Sequence, residues 1–383
     1  MKICIVEQCT DVVGGVERVV STLANNFIKN DDVTVVNEFR TYKKSFYKYD
    51  DRVKFINLCD NSFLKGDNFL VDFIRRARRK VLMNLTYKKV LKVFQESDVI
   101  IFGRVIVAKR FYKYFKKNEI KAKVICRDAA NFKYLTADDQ RFVLNDLPNF
   151  VHYFLVLTNE NRDYYIKMGF DTKRTNIIRM INPLGIEPEM CYNPNAKTVF
   201  SFGRLCFQKN FENLILAFKS VHEKHPDWSL KIYGNGESKD KLVNLIKENN
   251  LNDCAKVMPS NSNVKEIFKA SSIYAMTSRF EGYGNTLAES LSCGMPTISY
   301  DWVMGVSDFL KDGKNGKIVY LKNRDDYFKG IDCEEDVKNL ADAINEFIEN
   351  PDLCKKYSKE AFETGEDKSV ETIINKWYEI IKK

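Results

Sequence analysis

The sequence has no stretch that approaches the roughly 20 consecutive apolar residues of a membrane span. Its first residues, Met1-Lys2-Ile3-Cys4-Ile5-Val6, form a short apolar run that meets acidic and polar residues almost at once. Neither a spanning helix nor a secretion signal is expected. No two of the ten cysteines form a C-x-x-C pair, so zinc ribbons and dithiol redox chemistry have no basis here. Buried free thiols in a reducing cytosol are the expectation. The second half contains no aspartate-rich metal motif, and neither a metal nor a cofactor is expected. Histidine is scarce, limited to His152, His222 and His225, and no internal repeat or low-complexity segment stands out.

What is present is an ordinary soluble composition, 44% hydrophobic and 30% charged, over 383 residues. That is long for one core, so two domains are expected. The formal charge of +9 is uneven: about +13 falls on Met1–Leu184 and about −4 on the remainder. Much of the excess lies between Leu70 and Arg127, including Arg75-Arg76-Ala77-Arg78-Arg79-Lys80 interleaved with Phe69, Phe73, Val81, Leu82 and Leu85. Such a pattern suits a basic amphipathic helix on an anionic membrane, and equally the solvated face of a core helix. No nucleic-acid-binding motif accompanies the charge, and nucleic acid is not an expected partner.

Short β-branched runs alternate with amphipathic helical segments throughout, the pattern of parallel sheets covered by helices. Strands are expected at Lys2–Val6, Val33–Val36, Val53–Ile56, Val99–Phe102, Val124–Cys126, Phe154–Leu157 and Ile177–Met180, with helices at Val16–Ile28, Phe69–Phe94, Asp139–Asn145 and Asn159–Met168. The stretch from Asn182 to Pro188, rich in proline and polar residues, interrupts the alternation and reads as a linker. The alternation restarts at Val199–Phe202. The expected organisation is a first domain over 1–184, a second over 185–369, and a last helix in 370–383 that reaches back to the first. Two such sheets facing a central cleft could hold two substrates, because doubly wound sheets bind ligands at the carboxyl ends of their strands.

Two constellations carry chemistry. Gly203-Arg204-Leu205-Cys206-Phe207-Gln208-Lys209 follows the strand Val199–Phe202. Glycine at a strand end allows close backbone approach, and an arginine fork with a lysine point charge suits the two phosphates of a nucleoside diphosphate. The second runs from Ser278 through Glu281-Gly282-Tyr283-Gly284-Asn285-Thr286 to Glu289 in a helix that stops at Gly294. Glu289 could accept hydrogen bonds from both hydroxyls of a ribose diol; the spacing Thr286-x-x-Glu289 could equally be a capping box. Glu281 is either a solvated loop acid or a group beside the donor sugar.

At these residues the chain resembles the retaining glycosyltransferases of family 4, which have the GT-B fold of two Rossmann-like domains. Glu281 through Glu289 is similar to that family's E-x7-E motif, and Gly203-Arg204 with Lys209 to its diphosphate-binding loop. The run from His225 to Glu237, with Gly234 and Gly236, resembles the strand and glycine loop lining the donor site, and Ser307–Gly316 a later signature. Gly14-Gly15-Val16-Glu17-Arg18 resembles the acceptor domain's glycine loop. The resemblance implies transfer of a sugar from a nucleoside diphosphate, with retention and without an obligatory metal. Arg204 and Lys209 would neutralise the leaving diphosphate, Glu289 would hold the ribose, Glu281 would contact the sugar, and Gly15 would let a backbone amide approach phosphate or sugar. Gly282, Tyr283, Gly284, Asn285 and Thr286 would complete the donor loop.

One departure concerns the family's histidine after the fifth strand of the first domain. The corresponding stretch reads Cys126-Arg127-Asp128-Ala129-Ala130-Asn131, with alanine in that place and Asp128 the candidate to share the role. The expected activity is sugar transfer to a lipid-linked or surface glycan acceptor, in the cytoplasm and peripherally on the cytosolic membrane face. The alternatives are a nucleotide-sugar epimerase, a sugar-phosphate synthase, or a catalytically silent sugar-nucleotide-binding subunit.

Overall fold

A computed structural model describes residues 1–12, 14–42, 45–59, 77, 81, 85–261, 263–302, 305–363 and 369–383. The chain divides into two units, Met1–Gly185 with Val370–Lys383, and Ile186–Ser369.

The first unit has strands β1 (Lys2–Glu7), β2 (Asp32–Asn37), β3 (Lys54–Asn57), β4 (Val99–Phe102), β5 (Lys123–Arg127), β6 (Tyr153–Val156) and β7 (Asn176–Arg179). All neighbours pair in parallel, in the order β3-β2-β1-β4-β5-β6-β7. β1 and β4 are buried along nearly their whole length, which is why they read as apolar runs rather than alternating ones. Helices α1 (Gly15–Phe27), α2 (Tyr87–Glu96), α3 (Val105–Lys117), α4 (Ala137–Asn145) and α5 (Asn159–Lys167) cover the sheet. Thr136 and Thr158 cap α4 and α5 with their hydroxyls, satisfying amides that a helix start leaves open.

In the second unit β8 (Thr198–Phe202), β9 (Ser229–Tyr233), β10 (Ala255–Met258), β11 (Ile273–Met276), β12 (Thr297–Tyr300) and β13 (Lys317–Val319) form a parallel sheet in the order β10-β9-β8-β11-β12-β13. Its helices are α6 (Phe211–Lys224), α7 (Lys239–Glu248), α8 (Val264–Lys269), α9 (Asn285–Ser292), α10 (Val306–Phe309), α11 (Arg324–Lys329), α12 (Glu334–Glu349) and α13 (Pro351–Glu363). α14 (Val370–Lys382) packs in the first unit. Its Trp377 and Tyr378 meet Phe27 edge-on at 6.0 and 5.5 Å, and Lys123 Nζ donates to the carbonyl of Ile381 at 2.7 Å.

The expected strands agree with the observed ones to within a residue or so at each end. The expected helix Phe69–Phe94 falls mostly outside the described residues, which show α2 from Tyr87. Arg75, Arg76, Arg78, Arg79 and Lys80 also lie outside them. α3, α10, α11 and α13 were not foreseen; two of them are very short, too short for a periodic signal.

Candidate active site

In the second sheet the chain order reverses between β8 and β11, and the crevice beyond such a reversal is where doubly wound sheets receive ligands. The loops leaving these two strands are tied together there. The amide of Arg279 donates to Gln208 O at 2.8 Å, Gln208 Nε2 to Phe280 O at 2.8 Å, and Thr277 Oγ1 to Lys209 O at 3.0 Å. On this frame Lys209 Nζ meets Glu281 Oε1 at 2.7 Å, with side chains 12% and 11% exposed. Arg204, in the same loop, is exposed and forms no ion pair among the described residues. The structure thus brings Arg204, Lys209 and Glu281 to one switch point from loops roughly 70 residues apart.

The glycines make this frame possible. Gly203 N donates to Tyr233 O at 3.0 Å and Leu205 N to Asn235 O at 2.9 Å, so the loops after β8 and β9 lie backbone to backbone. A Cβ at Gly234 would overlap the carbonyl of Gly203, and one at Gly236 the carbonyl of Leu205. The nearest reason for both glycines is therefore loop-on-loop packing. A Cβ at Gly203 would stand 2.7 Å from Lys209 Cε, so its absence leaves room for that side chain to cross to Glu281.

Behind the pair lies a network that sequence reasoning missed. Arg279, 4% exposed, donates to Tyr327 O at 2.8 Å and to Asp332 Oδ2 at 2.7 Å. Its guanidinium lies 4.6 Å from the Phe207 ring centroid and 4.8 Å from that of Tyr327, a stacking geometry that lysine could not supply. Asn210, left-handed at φ 43°, donates to Tyr327 Oη at 2.9 Å and Asp332 Oδ1 at 3.0 Å. These partners are 48 to 122 residues apart in sequence, and no local pattern announces them.

α9 starts at Gly284, which is left-handed at φ 76° and caps the helix without a side-chain hydrogen bond. Thr286 consequently lies inside the helix, where its hydroxyl accepts from Tyr274 Oη at 2.8 Å. The capping-box alternative for Glu289 is not realised: Glu289 stands in the second turn, 1% exposed. Gly282, Asn285 and Thr286 are half-buried along the loop and first turn. Tyr283 is 3% exposed, its ring edge-on to Phe309 at 4.7 Å, which makes it a core residue supporting the loop rather than a surface lining it. Gly294, at φ 62°, follows α9 as a left-handed stop.

The first-unit candidates separate. Gly15 opens α1 and is exposed, with Gly14 as its cap. Asp128 is 1% exposed, and its carboxylate accepts from Tyr165 Oη at 2.7 Å, Asn161 Nδ2 at 3.0 Å and the Ala130 amide at 3.0 Å. Burial pushes its pKa up to about 6 against the pull of these donors. All three partners are internal, and through them Asp128 anchors the turn after β5 onto α5. Among the described residues no group of three or more His, Cys, Asp or Glu is arranged to hold a metal ion, and no helix is long and apolar enough to cross a membrane.

Residues 192–364 match the model of the family glycosyl transferases group 1. Over 373 residues the chain is 25% identical to the amylovoran biosynthesis glycosyltransferase AmsD of Erwinia amylovora, covering 96% of each. It is 23% identical over 340 residues to the poly(ribitol-phosphate) alpha-N-acetylglucosaminyltransferase of Staphylococcus aureus (strain COL), covering 88% of this chain and 65% of that one. The crystal structure of a mutant of S. aureus TarM with fondaparinux, alpha-GlcNAc-glycerol and UDP superposes with a TM-score of 0.77 at 17% identity over 100% of both chains. The fold is GT-B, with seven and six parallel strands in its two α/β domains.

Proposed function

We propose that this glycosyltransferase moves a sugar, with retention of anomeric configuration, from a nucleoside-diphosphate sugar to a lipid-linked or polymeric surface glycan. The observation that carries the proposal is the Lys209–Glu281 pair at the β8/β11 switch, with the exposed Arg204 in the same loop as Lys209. A diphosphate arriving there gains charge-assisted hydrogen bonds from Arg204 and Lys209, which neutralise the leaving group as its charge develops. Glu281, already within reach of Lys209, then lies beside the sugar, and Glu289 holds the ribose. With two cations of its own chain in that role, the reaction requires no divalent metal. The group 1 family match and the polymer-directed relatives support the substrate class. The enzyme works in the cytoplasm, with the basic segment Arg75–Lys80 holding it peripherally on an anionic membrane at about 1 kcal/mol per basic residue.

The test is nucleotide release from UDP-glucose, UDP-N-acetylglucosamine and GDP-mannose in the presence of polymer acceptors, with and without chelator. Turnover of one donor that survives chelation and yields product of the donor's own anomeric configuration is expected. Activity lost in chelator and restored by magnesium would end the metal-free reading, and an inverted product would end retention. Tight nucleotide binding without release from any donor would select the silent-subunit alternative. Co-sedimentation with anionic vesicles, weakened by salt and by reversing the four arginine charges, checks the membrane role; binding that ignores both would refute it.

A further inference from the structure

The first sheet also reverses its order, between β1 and β4. Its register pairs Val6 with Phe102 and Phe102 with Cys126, so the next row at the carboxyl edge is Glu7, Gly103 and Arg127. Side chains in one row of a parallel sheet share a face. Gly103 has none, and Glu7 fills the space: a Cβ on Gly103 would overlap Glu7 Oε2. Glu7 is 0% exposed; its Oε1 accepts the Gln8 amide at 2.8 Å and lies 3.0 Å from Arg104 Nε. On the same edge of the guanidinium, Arg104 Nη2 donates to Glu17 Oε1. Glu17 is the third residue of α1 and 6% exposed, and its carboxylate occupies the place a Cβ on Gly14 would need. Arg104 thereby joins the end of β1 to the first turn of α1 across the switch.

We infer that Glu7, Arg104 and Glu17 are positioning residues for sugar transfer, a bridge of two buried carboxylates through one partly exposed guanidinium that fixes the α1 turn beginning at Gly15. This rests on the reading that the Gly15 turn meets the reactants. The first amides of a helix have no partner within it, so where that turn stands decides what those amides can reach. Burying a carboxylate such as Glu7 is a poor source of stability, whereas a guanidinium held by two backbone segments constrains geometry. Three features cooperate in it: two missing side chains, at Gly14 and Gly103, and an arginine shared by two acids.

The bridge also responds to pH. Burial pushes Glu7 up to about 7, opposed by Arg104 and the Gln8 amide. The other charged or titratable groups around it are Glu17 on α1, Cys126 and Arg127 on β5, with Cys9 and Tyr49 from neighbouring loops. As pH falls through about 7, Glu7 takes up a proton and the β1 end of the bridge weakens.

The experiment uses the full chain and three measurements: kcat and KM for UDP release from the donor it turns over, UDP affinity by calorimetry, and melting. Arg104→Met is expected to lower kcat roughly 10- to 100-fold, the scale of a small misplacement of a reacting group, with UDP affinity within about twofold. Arg104→Lys, which keeps the charge but not the fork, should recover part of that loss. Wild-type kcat should fall below a pH of about 7, and Glu7→Gln, which preserves size, should abolish that limb. Glu7→Gln and Arg104→Lys carry the test if Arg104→Met fails to fold. Wild-type kcat in folded Arg104 variants, or an unchanged acidic limb in Glu7→Gln, overturns the inference. A UDP affinity indifferent to Lys209→Ala would instead sink the donor reading, and a wild type that binds UDP but releases none from any donor would end both.

Discussion

The two sheets each span their reversal of chain order with an ion pair, and the pairs sit in different surroundings. At β8/β11, Lys209 and Glu281 keep 12% and 11% of their side chains exposed and pair one to one, with the exposed Arg204 in the same loop as Lys209. At β1/β4, Glu7 is wholly buried, and Arg104, 29% exposed, is shared between two acids. A pair of one cation and one acid can exchange its carboxylate for an anionic ligand. In the bridge the same exchange would leave the wholly buried Glu7 without its cation, a charge stranded in a low-dielectric interior. The same topological position thus suits ligand binding in one unit and backbone control in the other.

The largest expected effect tests whether the accessible pair depends on backbone contact. Gly234→Ala puts a Cβ onto the carbonyl of Gly203, and neither atom belongs to a flexible side chain. The variant should lose about 2–4 kcal/mol of stability along with nucleotide affinity, read by urea melts and calorimetry. A melt like that of the wild type would show that the two loops need not touch. Arg204→Ala and Lys209→Ala come next. Each removes a charged hydrogen-bond partner, about 1.5–3 kcal/mol or roughly 10- to 100-fold in UDP affinity, while uridine, lacking phosphates, should bind either variant as it binds the wild type. Equal losses for uridine and UDP would mean that these two cations do not meet phosphate.

The smallest expected effect sharpens the buried side. Asp128 has a folded pKa of about 6 against an ordinary 3.8, so the native state holds its proton more tightly than the unfolded chain. The stability this contributes is fully present below about 3.8 and is lost as pH rises through about 6. Denaturant melts from about pH 4 to 7 should show the wild type declining by about 1–3 kcal/mol relative to Asp128→Asn, which cannot titrate. Parallel curves for the two proteins would contradict the buried-acid assignment. Glu7 is common to both and cancels in the comparison.

The parallel strands were legible because each is a local run whose burial on both faces is written in β-branched and aromatic residues, such as Val99-Ile100-Ile101-Phe102. The loops bearing Arg204, Lys209 and Glu281 were legible for a related reason: each directly follows such a strand, and carboxyl ends are where parallel sheets bind. The four-residue α10 was not, since so short a helix carries too little periodicity. Tertiary structure alone decided which way side chains turn and what lies opposite them. Tyr283 went to the core against Phe309, and Asp128 to Tyr165 and Asn161. Gly284 rather than Thr286 became the start of α9, at a place where a Cβ would stand 3.2 Å from the ring of Trp302. Gly103 and Gly14 became the spaces that Glu7 and Glu17 fill. Periodicity and spacing are properties of neighbours along the chain, and they determined the sheets and the positions of the motifs. Partnership between Lys209 and Glu281, or between Arg104 and its two acids, joins residues 72 to 97 positions apart, and only the register of the folded sheets brings such distant groups within bonding distance.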